Sequence, residues 1–258
     1  MPQDDYCATR TAAAGGDPWL IALFASAAQR PALQALGALR ADLAHLVAHR
    51  SEPAILGARA GWWQQELSTL RRAPGQHPAT RALAPHAARD PALHQALLEW
   101  ALHLNDELGG ASLLEPERWR RHLLRAGRLH EVMARLCDGP ADEAAALGAT
   151  LAELERLATH GERAAQSRPL GALGASPAAV APTAEARDFI AARATTLGAT
   201  LGAHATAVRR HAPLAIAVAL GSRRARALGR DPLRAWTPEP PRALGAVAVA
   251  WHAAWRAR

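Results

Sequence analysis

Arg30-Pro31-Ala32-Leu33-Gln34-Ala35-Leu36-Gly37-Ala38-Leu39-Arg40-Ala41-Asp42-Leu43-Ala44-His45-Leu46-Val47 is the stretch that decides the fold class. Leu33, Leu36, Leu39, Leu43, Leu46 and Val47 recur in it at spacings of three and four, which marks one face of an α-helix. The spacing predicts a helix that begins after Pro31 and ends near Arg50. Outward from this stretch the texture is the same. Of the 258 residues about a quarter are alanine, 50% are hydrophobic and only 4% are aromatic. The best helix formers dominate and strand formers are scarce, so the fold class is all-α. With 21% charged residues the composition is globular, and disorder and collagen are excluded. The length suffices for one helical domain over residues 1–258 with a core that needs no staples.

Prolines punctuate the chain. Asp17-Pro18, Ser51-Glu52-Pro53, Asp90-Pro91 and Glu115-Pro116-Glu117 each set a capping or acidic residue before a proline that fits a first helical turn. Further helices are therefore expected over residues 18–28, 53–72, 91–108, 116–137, 141–160, 184–211, 213–228 and 241–255. Residues 162–182, rich in Pro and Gly-Ala pairs, read as an irregular connection.

The net charge of +7 is unevenly placed: residues 203–258 hold ten arginines and two acids. These basic C-terminal helices suit anionic lipid head groups, or they are a solvated helix face. No aromatic residue interleaves the Arg cluster and no zinc-finger or RNA-recognition signature is present, so nucleic acid is not an expected partner. Cys7 and Cys137 are the only cysteines, too few for a zinc site or a disulfide framework. The acidic start lacks a signal-peptide pattern, and the uncharged stretches are too short or too broken to span a bilayer. A cytoplasmic location follows as the expectation, with membrane contact through residues 203–258 as its peripheral variant. No nucleophile elbow and no phosphate-binding loop occurs.

Several runs carry a likeness. Asp4-Asp5-Tyr6-Cys7 is followed by Asp17-Pro18-Trp19-Leu20-Ile21-Ala22-Leu23-Phe24-Ala25 and then by Arg30-Pro31-Ala32-Leu33. Downstream stand Ser51-Glu52-Pro53, Arg59-Ala60-Gly61-Trp62-Trp63-Gln64-Gln65-Glu66-Leu67 and His77-Pro78. In order and spacing these resemble squalene/phytoene synthase family proteins, best the non-synthase branch that includes the mitochondrial complex I assembly factor type. The resemblance covers roughly residues 4–86. It implies an isoprenoid-synthase-type helical bundle around a central cavity. Active members join two prenyl diphosphates head to head, with Mg²⁺ bridging two aspartate-rich helix segments to the diphosphate.

The chain departs from that pattern. Matching Ala38-Leu39 to the family puts the first aspartate motif on Ala44, His45 and Ala48. The second falls near Leu147 to Leu157, where Glu153 and Glu155 are two apart and face different sides. The resemblance then implies a protein without the Asp-rich Mg-diphosphate motifs, non-catalytic and needing no cofactor, which binds an isoprenoid or lipid, or a protein partner. Two alternatives stand beside it. One is an active prenyltransferase acting on farnesyl or geranylgeranyl diphosphate with Mg²⁺. The other is a basic peripheral-membrane helical protein.

Tyr6, Arg59, Trp62, Trp63 and Glu66 are the pocket residues that the resemblance suggests; core packing is the plain alternative for the tryptophans. Asp42, His45 and His49 share a helix face at i, i+3 and i+7, and Glu99, His103 and Asp106 do so at i, i+4 and i+7. If these two sets faced each other they would form a polar centre better suited to a transition metal than to Mg²⁺; otherwise they are surface positions on amphipathic helices. Neither set has an established metal-ligand spacing, and no metal is assigned.

Overall fold

A computed structural model describes residues 3–48, 53–108, 116–159, 183–236 and 244–257. Among them every regular element is helical. The helices are α1 (Gln3–Ala14), α2 (Gly16–Phe24), α3 (Arg30–Ala48), α4 (Pro53–Thr69), α5 (Pro78–Arg89), α6 (Pro91–Leu108), α7 (Pro116–Leu136), α8 (Ala141–Ala158), α9 (Ala184–Val208), α10 (Ala212–Arg230) and α11 (Leu244–Arg256). A 3₁₀ turn at Pro232–Ala235 follows α10. None of the described helices is long and apolar enough to cross a membrane. The expected connection at 162–182 lies outside the described residues.

Several helices start where a proline or a polar cap announces them. Asp90 Oδ1 accepts the N–H groups of Ala92 at 2.9 Å and Leu93 at 3.1 Å, capping α6. Thr183 does the same for α9, accepting from Ala186 N at 3.2 Å. Helix α2 stops four residues short of the expected end because Ala25 is extended (φ −70°, ψ 159°) and Ser26 starts a turn that closes on Gln29. Two helices, α1 and α5, have no counterpart in the sequence expectations. Helix α5 is capped by His77, an unusual residue there, and contains Pro85, which reads as a stop. Helix α1 runs into Gly15 and Gly16, both left-handed at φ 65° and 67°. Only glycine takes that pair of angles cheaply, and the turn lets α2 fold back on α3.

Helix α3 packs against α1, α2 and α5; α7 against α6 and α8; and α10 against α2, α8, α9 and α11. The space between them is filled by leucines with no solvent contact to speak of, among them Leu39, Leu67, Leu83, Leu97, Leu147 and Leu154. With so few aromatic side chains the helices close up on alanine and glycine instead. The tightest crossing joins α7 to α8, where a Cβ on Gly148 would lie 2.1 Å from the Gly127 carbonyl oxygen. Helix α1 approaches α3 in the same manner: a Cβ on Gly37 would lie 2.7 Å from Thr11 Cγ2.

Candidate functional site

The seam between α1 and α3 is polar on one side. Thr11 Oγ1 donates to the Gln34 carbonyl at 2.7 Å. Arg10 Nε donates to Asp42 Oδ1 at 2.7 Å while its Nη2 reaches the Ala41 carbonyl at 3.2 Å. The Tyr6 hydroxyl donates to the other Asp42 oxygen at 2.9 Å. From α5, His77 Nε2 comes within 3.3 Å of the Tyr6 oxygen and 3.6 Å of Asp42 Oδ2. Because His77 Nδ1 accepts the Ala79 N–H at 3.3 Å, the neutral ring carries its proton on Nε2, pointed at this pair. Burial lowers the His77 pKa in spite of Asp42 and Glu66 nearby. Burial, with the Asp42 hydrogen bond adding to it, pushes Tyr6 up to about 12, so the phenol stays a donor.

Trp63 closes the node, its ring edge-on to His77 at 4.9 Å. Glu66 ties the connection from α4 to α5: one of its oxygens accepts from Gln76 N at 2.6 Å, His77 N at 2.9 Å and the Thr80 hydroxyl at 2.5 Å. The fold therefore gathers Tyr6, Asp42, Trp63 and Glu66 into one packed polar node. Arg59 and Trp62 are exposed on the outer face of α4, and Trp62 touches the node only through its ring, edge-on to Trp63 at 4.9 Å.

The second expected set lies elsewhere. Glu99 accepts from Arg128 at 2.7 Å, and the chain of charges continues through Glu131 and Arg135 to Asp90, linking α6 to α7. The His103 ring stacks on Trp100 and contacts its carbonyl oxygen. His45 is exposed on α3. His49 lies outside the described residues, and so does the side chain of Asp106. Asp42 and Glu99 thus belong to two separate networks, not one centre. Among the described residues no three His, Cys, Asp or Glu side chains converge to hold a metal ion.

A cleft of about 880 Å³ opens between α1, α2 and α3 on one side and α8, α10, the 3₁₀ turn and α11 on the other. That volume lies within the roughly 300–1,000 Å³ of small-molecule sites. It continues into a narrow apolar recess between Ile21, Leu33, Leu36, Leu129, Met133 and Leu151. Four arginines, Arg40, Arg223, Arg224 and Arg234, share the cleft wall with three carboxylates, Asp17, Glu155 and Asp231. The carboxylates are committed. Arg224 Nη2 donates to both oxygens of Asp17 at 3.0 Å. Arg40 holds Glu155 across the gap from α3 to α8, and Arg234 lies 3.4 Å from Asp231. Mg²⁺ takes near-octahedral oxygen ligation from carboxylates that converge with a phosphate. Three carboxylates on three elements, each against a guanidinium, do not fit that ion.

Glu153 points the other way, held by Arg193 of α9 at 2.5 and 2.8 Å. His130 lines the recess, and burial together with Arg40 lowers its pKa to about 4, so the ring is neutral. Arg10, His77, Arg40, Asp17 and Arg224 are site residues that sequence reasoning passes over. Asp17 is legible only as a helix start, because its partner stands 207 residues away.

No protein-family model, no curated protein and no solved structure matches this chain.

Proposed function

We propose that this chain is a squalene/phytoene synthase-like helical protein that holds an isoprenoid or related lipid in its cleft and does not ionise a diphosphate there. One observation carries the reading. The two helices onto which the resemblance places the metal motifs, α3 and α8, both border the cleft, and at those places stand Ala44 and the arginine-bound Glu155. The cleft of about 880 Å³ has room for such a molecule, and the apolar recess beyond it, about 40 Å³, takes no more than the tip of its chain. The wall carries four guanidinium groups for a polar or anionic head, three of them shared with carboxylates. Charge separation during ionisation needs cations to receive the leaving diphosphate. Here the carboxylates that would recruit those cations are replaced or neutralised.

The experiment has two arms. Pure protein incubated with Mg²⁺ and farnesyl or geranylgeranyl diphosphate releases no pyrophosphate, whereas sustained release establishes the prenyltransferase alternative. In the second arm the same diphosphates, and the corresponding prenyl alcohols, raise the melting temperature of the wild type. The Ala44→Trp variant, which fills the cleft from an exposed position on α3, loses that shift. If no prenyl compound stabilises the protein, the lipid half of the reading fails.

A further inference from the structure

Helix α11 is turned inside out. Its inner side is made of Ala250 and Ala254, both buried against the body of the protein. The outer side carries the large apolar residues: Leu244 is 86% exposed, Trp251 57% and Trp255 61%. At 100° per residue Leu244, Ala248, Trp251 and Trp255 fall within about 60° of one another, a single stripe along the helix. His252 stacks on Trp255 beside it, and exposed Arg256 flanks it. Single apolar residues on a surface need no explanation, but a contiguous row that includes two tryptophans does.

The charge around the row selects its partner. Neither α10 nor α11 contains an Asp or Glu, while between them they carry Arg223, Arg224, Arg226, Arg230 and Arg256. Arg223 lies alongside the start of α11, 3.1 Å from where a Cβ on Gly245 would stand. Arg226 and Arg230 are exposed. Tryptophan has an apolar body and one N–H donor and settles at the boundary between head groups and acyl chains; arginine around it pairs with phosphate.

We infer that the Leu244–Trp251–Trp255 face of α11, with the arginines of α10 and α11 around it, is a docking surface for an anionic lipid bilayer. The helix lies flat on the membrane and does not cross it, its inner side remaining on the protein. Ala246, on the opposite side of α11, lines the cleft. Arg223 and Arg224 line the cleft too, but Trp251, Trp255, Arg226, Arg230 and Arg256 do not, so membrane docking is tested on the latter, apart from cleft occupancy.

The test is co-sedimentation of the whole chain with vesicles of phosphatidylcholine alone and of phosphatidylcholine mixed with phosphatidylglycerol. The protein partitions at least about tenfold better onto the mixed vesicles, and added salt weakens the binding. W251A/W255A loses about tenfold or more of that partitioning. Because both side chains are exposed, the thermal melt of this variant stays that of the wild type. Trp62→Ala, which removes an exposed tryptophan from α4, changes nothing, and R226Q/R256Q flattens the salt dependence. The inference is overturned if neither vesicle is bound, or if the double tryptophan variant binds as well as the wild type. It is also overturned if the wild type sediments as a dimer that W251A/W255A dissociates, because a second copy then covers the face.

Discussion

Asp42 receives Tyr6 and Arg10 from α1 on its two oxygens, with His77 of α5 alongside, so three elements meet on one carboxylate. Its loss leaves a guanidinium and a phenol half-buried with weakened partners. Asp42→Asn keeps the shape, removes the charge and lowers stability by about 1–3 kcal/mol, read from urea denaturation. Tyr6→Phe takes away one hydrogen bond and costs about 1 kcal/mol. Since both changes break the same bond, Y6F/D42N costs less than the sum of the two; strict additivity would mean that the pair does not interact. The sequence marks Asp42 as a residue of interest through its spacing to His45 and His49, but it does not show its neighbours. Those partners come from 32 and 36 residues upstream and from His77 downstream, and which helix faces which is a matter of tertiary packing.

Among the elements, glycine separates what is legible from what is not. Gly57 and Gly148 both stand in helical runs and look alike in the sequence. In the fold a Cβ on Gly57 meets nothing within 4 Å, whereas one on Gly148 strikes the backbone of α7. Gly57→Ala therefore raises stability by about 0.5–1 kcal/mol through helix propensity and a less disordered unfolded chain. Gly148→Ala forces α7 and α8 apart and lowers it by about 2–3 kcal/mol or more. Paired melting curves of the two variants check both signs at once. The helices themselves were readable wherever a proline and a leucine stripe coincide, as at α3, or where a standard cap joins them, as Asp90 does at α6. Helix α1 offers an alanine-rich segment with no cap, and α5 offers a histidine cap and an internal proline, so neither announces itself by local rules. Apart from α1, the helices flanking the cleft were readable one by one. The cleft is not, because it depends on Asp17 meeting Arg224 and Arg40 meeting Glu155 across most of the chain.

Across the whole molecule, acid acts through histidines that the fold keeps neutral. His77, His86, His130 and His211 all have pKa values below 6.5, each mainly because burial disfavours the charged ring, and His130 is lowered to about 4. Two of these rings also cap helices with the lone pair of Nδ1. His77 accepts from Ala79 N and His211 from Leu214 N at 3.4 Å, the latter with Nε2 3.3 Å from the Cys137 carbonyl. Protonation turns each acceptor into a second donor aimed at the positive end of a helix. The sign follows from where the protons go. Below about pH 6.5 the unfolded chain takes up protons that the folded one refuses, so folding stability is full above that pH and is lost progressively as it falls toward the lowered values in the native state. The growing positive charge of an already basic chain adds to the loss. The melting temperature should therefore drop steadily from about pH 7.5 to about pH 5, and His130→Leu should show a shallower drop over the same range because one refused proton is gone. A flat profile, or one unchanged in that variant, would mean that the rings take protons freely in the folded state and that water reaches the recess behind Arg40.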